Sequence, residues 1–360
     1  MRTTLEKKKF LKILIIWIVA VLMLPMAAVV FFDPFFHYHK PIKPLKAVLT
    51  QAEYQVVGTL KTFDYDSLIA GSSMAENYNN HWFDEKFGVK AIKAVKPGAN
   101  TSDLMYLINR AYEYKEIKNI YYTLDIAALN TTVREHYVNE GMPLYLYNDI
   151  LLDDVKYLLN KHVLLKEIPY MIANSFLVEY DEGNSFNWAK DKQFGNFKYE
   201  LTKEKKEDKK IEEYKENVEF NLNQLEQLIK THPETNFIFM VPPYSSLWWY
   251  EAYMCGDLEY NFYTLQQAFE RLIKFENVEI YYFQDIEEIV SDLSLYMDLL
   301  HYHPDINKQL VNSIGDKVYK VTEENKEKKI QNMRQLADKC INIYAKEYLE
   351  NLQGEKNGLQ

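Results

Sequence analysis

Residues 13–32 constrain this chain most: from Ile13 to Phe32 run twenty consecutive uncharged, mostly apolar side chains. As a helix rising about 1.5 Å per residue, that run spans the roughly 30 Å hydrocarbon core of a bilayer. Arg2, Lys7, Lys8, Lys9 and Lys12 precede it against one acid, Glu6. A basic flank of this kind stays in the cytoplasm and sends the rest of the chain across the membrane. A cleaved signal peptide is the rival reading, with Met26-Ala27-Ala28 supplying small residues. The apolar run continues past those alanines and is longer than a usual signal core. The expectation is therefore an uncleaved single-pass anchor in the cell membrane, with the C-terminal domain extracytoplasmic.

The first twelve residues hold five bases and one acid, so the remainder stands at −14 against −10 for the whole chain. An acidic remainder does not suit nucleic acid, whose phosphates demand a basic surface, so no nucleic-acid partner is expected. An extended groove for a polyanion is disfavoured for the same reason. Cys255 and Cys340 are the only cysteines and lie far apart, which predicts free thiols. The 360 residues suffice for one large α/β domain with its own core.

The chain divides into a basic tail (1–12), the anchor (13–32), a juxtamembrane segment (33–62), an α/β domain (63–321) and a C-terminal helix (322–360). The juxtamembrane run Asp33-Pro34-Phe35-Phe36-His37-Tyr38-His39-Lys40-Pro41 reads as an interfacial aromatic belt. Its His37 and His39 form a weaker metal pattern, and no metal or cofactor is expected. Leu45–Thr62 connects to the domain. Strands are predicted at Ser67–Ala70, Val89–Val95, Ile120–Leu124, Asn236–Val241 and Val278–Phe283. Helices are predicted at Ser102–Tyr114, Val218–Lys230, Phe262–Phe275, Asp285–Ser294, Asp305–Val321 and Glu323–Leu352. Asn79–Gly88 reads as a surface link and Glu200–Glu216 as a solvated helical face. Between about 131 and 215 the strand–helix alternation lapses into aromatics and apolar helical runs. This predicts an inserted helical cap beside the sheet edge. Its aromatics, Trp188 among them, are expected mostly to pack. Strands alternating with helices argue for a doubly wound, mostly parallel five-stranded sheet.

Two short blocks carry chemistry. In Ser67-Leu68-Ile69-Ala70-Gly71-Ser72-Ser73-Met74 a strand stops at Gly and turns into a helix. That turn presents serines at the carboxyl edge of the sheet, where open α/β sheets bind ligands. A helix N-terminus there can hold a developing negative charge. The competing reading is a serine that only caps the helix. In Met297-Asp298-Leu299-Leu300-His301-Tyr302-His303-Pro304 an Asp precedes a His by three residues. The Asp can orient the imidazole while the His takes a proton from a serine. His301 and His303 also lie at strand-like metal spacing, but the Asp-x-x-His register gives His301 a better use.

Together, Gly71-Ser72-Ser73 after an early strand and Asp298-x-x-His301 after a late one resemble the SGNH (GDSL-like) hydrolase superfamily. Within it the chain is most similar to the membrane-anchored, extracytoplasmic branch associated with cell-surface polymer acylation. The resemblance covers roughly Asp33 to Ile314. It implies a flavodoxin-like strand order 2-1-3-4-5 and Ser73 as nucleophile, with Ser72 the alternative. His301 then serves as base and acid, and Asp298 as its orienter. It also implies that Gly98, in the turn Pro97–Ser102, donates its backbone N–H to an oxyanion. Family members usually carry a donating Asn just past the third strand, where this sequence has Asp125. An ionised Asp cannot donate, so a raised pKa for Asp125, or Asn100 or Asn77 as substitute donor, is needed. Asp125 can equally orient a loop or bind substrate hydroxyls. The loop Pro242–Tyr250, with Tyr244, is read as a substrate wall. The implied function is a serine esterase or O-acyltransferase on a cell-surface glycan or related polymer. The resembled systems often add a membrane acyl-donor protein as partner. A catalytically silent, membrane-tethered binding or assembly protein on the same fold is the alternative.

Overall fold

The computed structural model describes residues 4–137, 142–177 and 179–358. Arg2 of the basic flank and the last two residues of the segment 322–360, expected as a C-terminal helix, lie outside them. The chain divides into two compact units, one drawn from Met1–Phe63 and Asn139–Ser185, the other from Asp64–Val138 and Phe186–Gln360.

In the first unit a 29-residue helix, Thr4–Phe32, contains the apolar run and leaves most of its side chains exposed. It is long and apolar enough to span a membrane. The chain after it differs from the expected aromatic belt, because the aromatics pack inward. Phe35 stacks on Tyr157 at 5.4 Å, and Phe36 meets Phe63 edge-on at 5.2 Å. Their turn is organised by buried Asp33, whose carboxylate accepts the backbone N–H groups of His37, Tyr38 and His39 and the Tyr157 hydroxyl. The histidines are engaged elsewhere: His37 Nε2 faces Asp154 at 3.2 Å, and both His39 ring nitrogens face backbone carbonyls. Residues 142–177 and 179–185, expected as part of a cap on the α/β domain, instead belong to this first unit.

The second unit is built on one six-stranded sheet: β1 (Ser67–Gly71), β2 (Ala91–Val95), β3 (Asn119–Thr123), β4 (Asn236–Val241), β5 (Val278–Tyr282) and β6 (Lys320–Val321). The spatial order is β2-β1-β3-β4-β5-β6. The first five strands are parallel, and β6 runs antiparallel to β5. The sequence pattern predicts five strands. The sixth is two residues long and lies in what reads as the end of a helix, which stops at Gly315. Successive strand residues such as Leu68, Ile69 and Ala70, or Phe237 to Val241, are all buried. Burial of alternate residues on both faces is the signature of a sheet covered by helices on both sides.

Three helical boundaries correct the sequence reading. Asn79–Gly88 is a helix (Asn80–Phe87), capped by the Asn79 side chain at its start and by left-handed Gly88 at its end. Residues 201–210 are irregular, and the long helix begins only at Ile211. The C-terminal helix begins at Lys326 and passes through a π-helical turn at Cys340–Tyr344.

The end of β1 is packed too closely for any side chain. A Cβ on Gly71 would lie 2.7 Å from the Ala75 Cβ and 2.9 Å from the Thr123 Cβ, inside any normal contact. We expect Gly71→Ala to cost about 1–3 kcal/mol by overpacking. Denaturant unfolding of the full chain in detergent checks this, and a loss below about 0.5 kcal/mol would show that the turn is not close-packed.

Candidate active site

Strand order creates the site. The chain leaves β1 for β2 on one side and returns to β3 on the other, so the loops after β1 and β3 diverge at the carboxyl edge and leave a crevice. A pocket of about 340 Å³ lies there, lined by residues that follow four different strands. Ser72 and Ser73 come from β1, Gly98 and Asn100 from β2, Asp125 from β3 and Tyr244 from β4. His301 enters from the irregular segment beyond β5.

Ser72 is the N-cap of a one-turn helix, Ser73–Glu76, and its hydroxyl accepts the Met74 N–H. This frees Ser73, at the first helical position, to turn its own hydroxyl outward. Ser73 Oγ lies 2.8 Å from His301 Nε2. On the other side of the ring, His301 Nδ1 lies 2.7 Å from Asp298 Oδ2. The second oxygen, Asp298 Oδ1, accepts the backbone N–H groups of Leu300 and His301, each at 2.8 Å. The three-residue spacing works because the carboxylate caps its own turn with one oxygen and holds the imidazole with the other. Burial raises the Asp298 carboxyl pKa, but the His301 ring, the two N–H groups and the His301 charge together outweigh it and hold it below the ordinary carboxylate value. With Nδ1–H held by Asp298, Nε2 is left as the acceptor for the Ser73 proton.

Gly98 lines the same pocket in a left-handed conformation, φ +60°. Its loop is pinned by a buried ion pair, Lys96 to Asp103 at 3.0 Å, and by a capping box between Asn100 and Asp103. Asn100 shares in that pinning: Oδ1 accepts the Asp103 N–H and one Nδ2 proton goes to the Glu135 carbonyl. Asn77 is buried outside the pocket lining, its Oδ1 accepting the Ala189 N–H at 3.3 Å. Of the two asparagines, Asn100 lines the pocket and Asn77 does not.

Asp125 is buried, 2.5 Å from Ser72 Oγ through Oδ2 and 3.2 Å from the Tyr244 hydroxyl through Oδ1. Tyr244 also accepts the Ile126 N–H. Burial raises the Asp125 carboxyl pKa above its ordinary value, against the hydrogen bonds from Ser72 and Tyr244 and the His301 charge. Tyr244 therefore meets Asp125 at the floor of the pocket. The rest of its loop largely continues as the helix Ser246–Met254, with Trp249 buried.

One neighbour escapes the sequence reading. Trp188 donates its indole N–H to the Ser73 carbonyl at 3.1 Å, and its ring meets His301 edge-on at 5.0 Å. Nothing in an aromatic-rich stretch distinguishes this tryptophan from those that only pack. His303, by contrast, caps the helix Pro304–Gly315, its ring accepting the Asp305 N–H.

No protein-family model and no curated protein matches the chain. A solved structure from Streptococcus pneumoniae, provisionally described as a platelet activating factor, is similar to it with a TM-score of 0.40 and 12% sequence identity. That likeness covers 74% of this chain and 91% of the other.

The depressed Asp298 carboxyl has a testable sign. A carboxyl lowered in the folded state contributes stability above its unfolded pKa, about 3.9, and loses it as pH falls through the folded value. The stability difference between the native chain and Asp298→Asn should thus shrink as pH falls below about 4. Because 42% of the side chain is exposed, the difference should stay under about 1 kcal/mol. Unfolding curves at pH 3 and pH 6 that differ by the same amount would show that the Asp298 carboxyl is not depressed.

Proposed function

We propose that this protein is a membrane-anchored, extracytoplasmic serine esterase or O-acyltransferase of the SGNH type, acting on hydroxyl-rich cell-surface polymer. The observation that carries the reading is the continuous hydrogen-bonded chain from Ser73 Oγ through His301 to Asp298. Ser73 attacks the ester carbonyl carbon while its proton passes to His301 Nε2, and Asp298 stabilises the imidazolium that forms. The carbonyl oxygen becomes an oxyanion, received by the Ser73 N–H and the Gly98 N–H. At the first helical position the Ser73 N–H has no partner within its helix. Collapse of the adduct returns the proton from His301 to the leaving oxygen. Water or an acceptor hydroxyl then releases the acyl group from Ser73 by the reverse sequence. Trp188 positions the pair by holding the Ser73 carbonyl and walling one side of the imidazole.

A second cleft of about 550 Å³ shares Ala127 and Thr131 with the lining of the catalytic pocket. Its charged groups are largely satisfied among themselves: Lys209 pairs with Asp257, and Glu251 accepts from Thr202. What remains for a ligand are half-buried aromatics, Tyr199 and Trp248, and amides such as Asn217, while the Tyr214 ring faces the Lys209 ammonium. Aromatic faces beside neutral hydrogen-bonding groups suit a polyhydroxylated acceptor better than an anion or an acyl chain. The apolar helix Thr4–Phe32 and its basic flank supply the tether and the orientation.

A fluorophosphonate probe applied to the full-length protein in detergent tests the reading. We expect covalent labelling that is lost in Ser73→Ala and slowed on the order of 10⁴-fold in His301→Ala. Absence of labelling in the native chain would favour a catalytically silent, tethered binding protein. Membranes washed with carbonate should retain the protein with its N-terminus intact, whereas release of a shorter chain would show that the apolar helix is a cleaved signal.

A further inference from the structure

Resting on the esterase reading, the pocket lacks one thing that the chemistry requires. Two backbone N–H groups serve the oxyanion, while the position past β3 carries a carboxyl, Asp125, that would repel it if ionised. Hydrogen-bond accounting around that carboxyl resolves the conflict. The Tyr244 hydroxyl accepts the Ile126 N–H, so its single proton goes to Asp125 Oδ1. Oδ1 is thereby an acceptor, and any proton on Asp125 resides on Oδ2, 2.5 Å from Ser72 Oγ. Ser72 Oγ already accepts the Met74 N–H. A hydroxyl has two acceptor sites and one donor. If Oδ2–H donates to Ser72 Oγ, both acceptor sites are filled and the Ser72 proton is left for the pocket that Ser72 lines. If Asp125 is ionised, that same proton is drawn to Oδ2.

We propose that Asp125 carries a proton on Oδ2 at neutral pH and so frees the Ser72 hydroxyl to act as the third donor to the oxyanion. Among the described residues, no lysine or arginine lines the pocket to stabilise a carboxylate there. The titratable groups facing Asp125 are His301 and four tyrosines, Tyr78, Tyr122, Tyr244 and Tyr302. Burial raises all four phenols, so they stay neutral. His301 is separated from the Asp125 carboxyl chemistry by its bond to Ser73 Oγ. The serine pair Ser72-Ser73 thus divides its work, Ser73 as nucleophile and Ser72 as electrophilic donor, and Asp125 is a positioning residue acting through Ser72. No proton is gained or lost by Asp125 in the cycle: Oδ2–H keeps donating to Ser72 while the Ser72 O–H bond turns to the oxyanion.

Three measurements on the full-length protein in detergent decide it. Infrared difference spectra between the native chain and Asp125→Asn at pH 7 should show the C=O stretch of a protonated carboxyl. Hydrolysis of p-nitrophenyl acetate should fall at alkaline pH in the native chain as Asp125 ionises, and this fall should be absent in Asp125→Asn. The Asn amide can accept from Tyr244 and donate to Ser72 at every pH, so the Asp125→Asn rate should run level through the alkaline range in which the native rate falls. Ser72→Ala should lower kcat by about 10²–10³, whereas Ser72→Thr, which keeps the hydroxyl and the helix cap, should recover most of it. A carboxylate band at pH 7, or a tenfold gain on Asp125→Asn, overturns the proposal, as does a Ser72→Ala enzyme of native rate. If the native chain neither hydrolyses the ester nor labels at Ser73, the esterase reading fails instead, and the infrared band alone still reports where the proton resides.

Discussion

The site depends first on the close contact at Gly71. Strand β1 lies between β2 and β3, and its last residue packs without a side chain against Thr123 of β3 and Ala75 of the succeeding turn. Only that approach lets the chain leave the sheet and begin a helix within one residue. Ser72 then caps the helix and Ser73 starts it, so two adjacent hydroxyls point in different directions. One residue of slippage would exchange their roles.

Electrostatics completes what the turn begins. Two carboxyls at the site receive opposite treatment, Asp125 in the pocket lining and Asp298 behind His301. Asp298 is half-exposed and receives two N–H groups and an imidazole, which keep it ionised. Asp125 is buried against two hydroxyls, with no lysine or arginine among the described residues of the pocket lining, which favours its neutral form. Environments that push two carboxyls apart in this way commonly mark distinct tasks in one site. The Lys96–Asp103 pair places a further, buried carboxyl beside the Gly98 loop. Removing one partner of such a pair typically costs about 3–5 kcal/mol.

Much of this is legible in the sequence because its causes are local. Asn236–Val241 can be read to the residue, since an apolar run bounded by Thr235 and Pro242 leaves little choice. The spacing of Asp298 and His301 announces their contact, because three residues of one turn suffice to bring them together. The helix Asn80–Phe87 escapes notice although its signals are present: Asn79 is a good N-cap and Gly88 a good left-handed stop. Its weak apolar pattern hides it. Other features depend on partners distant in sequence. The two-residue β6 exists only because β5 offers an edge, and the helical segment after residue 141 joins the N-terminal unit through Asp33, Phe35 and Tyr157. No periodicity reports such pairings.

The same distinction explains Asp125. Compared with a resembled pattern, an Asp where an Asn is usual looks like a lost donor. Its meaning changes once Tyr244, 119 positions away, is seen to occupy one carboxyl oxygen. A lone carboxyl beside an oxyanion is repulsive, and an ionised one would work against the two N–H donors. A carboxyl whose first oxygen is filled by a phenol and whose second meets a serine hydroxyl has only one place for a proton. That place is the one from which it releases another donor. On the proposed esterase reading, the third donor then lies one hydrogen bond from Asp125, on the Ser72 hydroxyl.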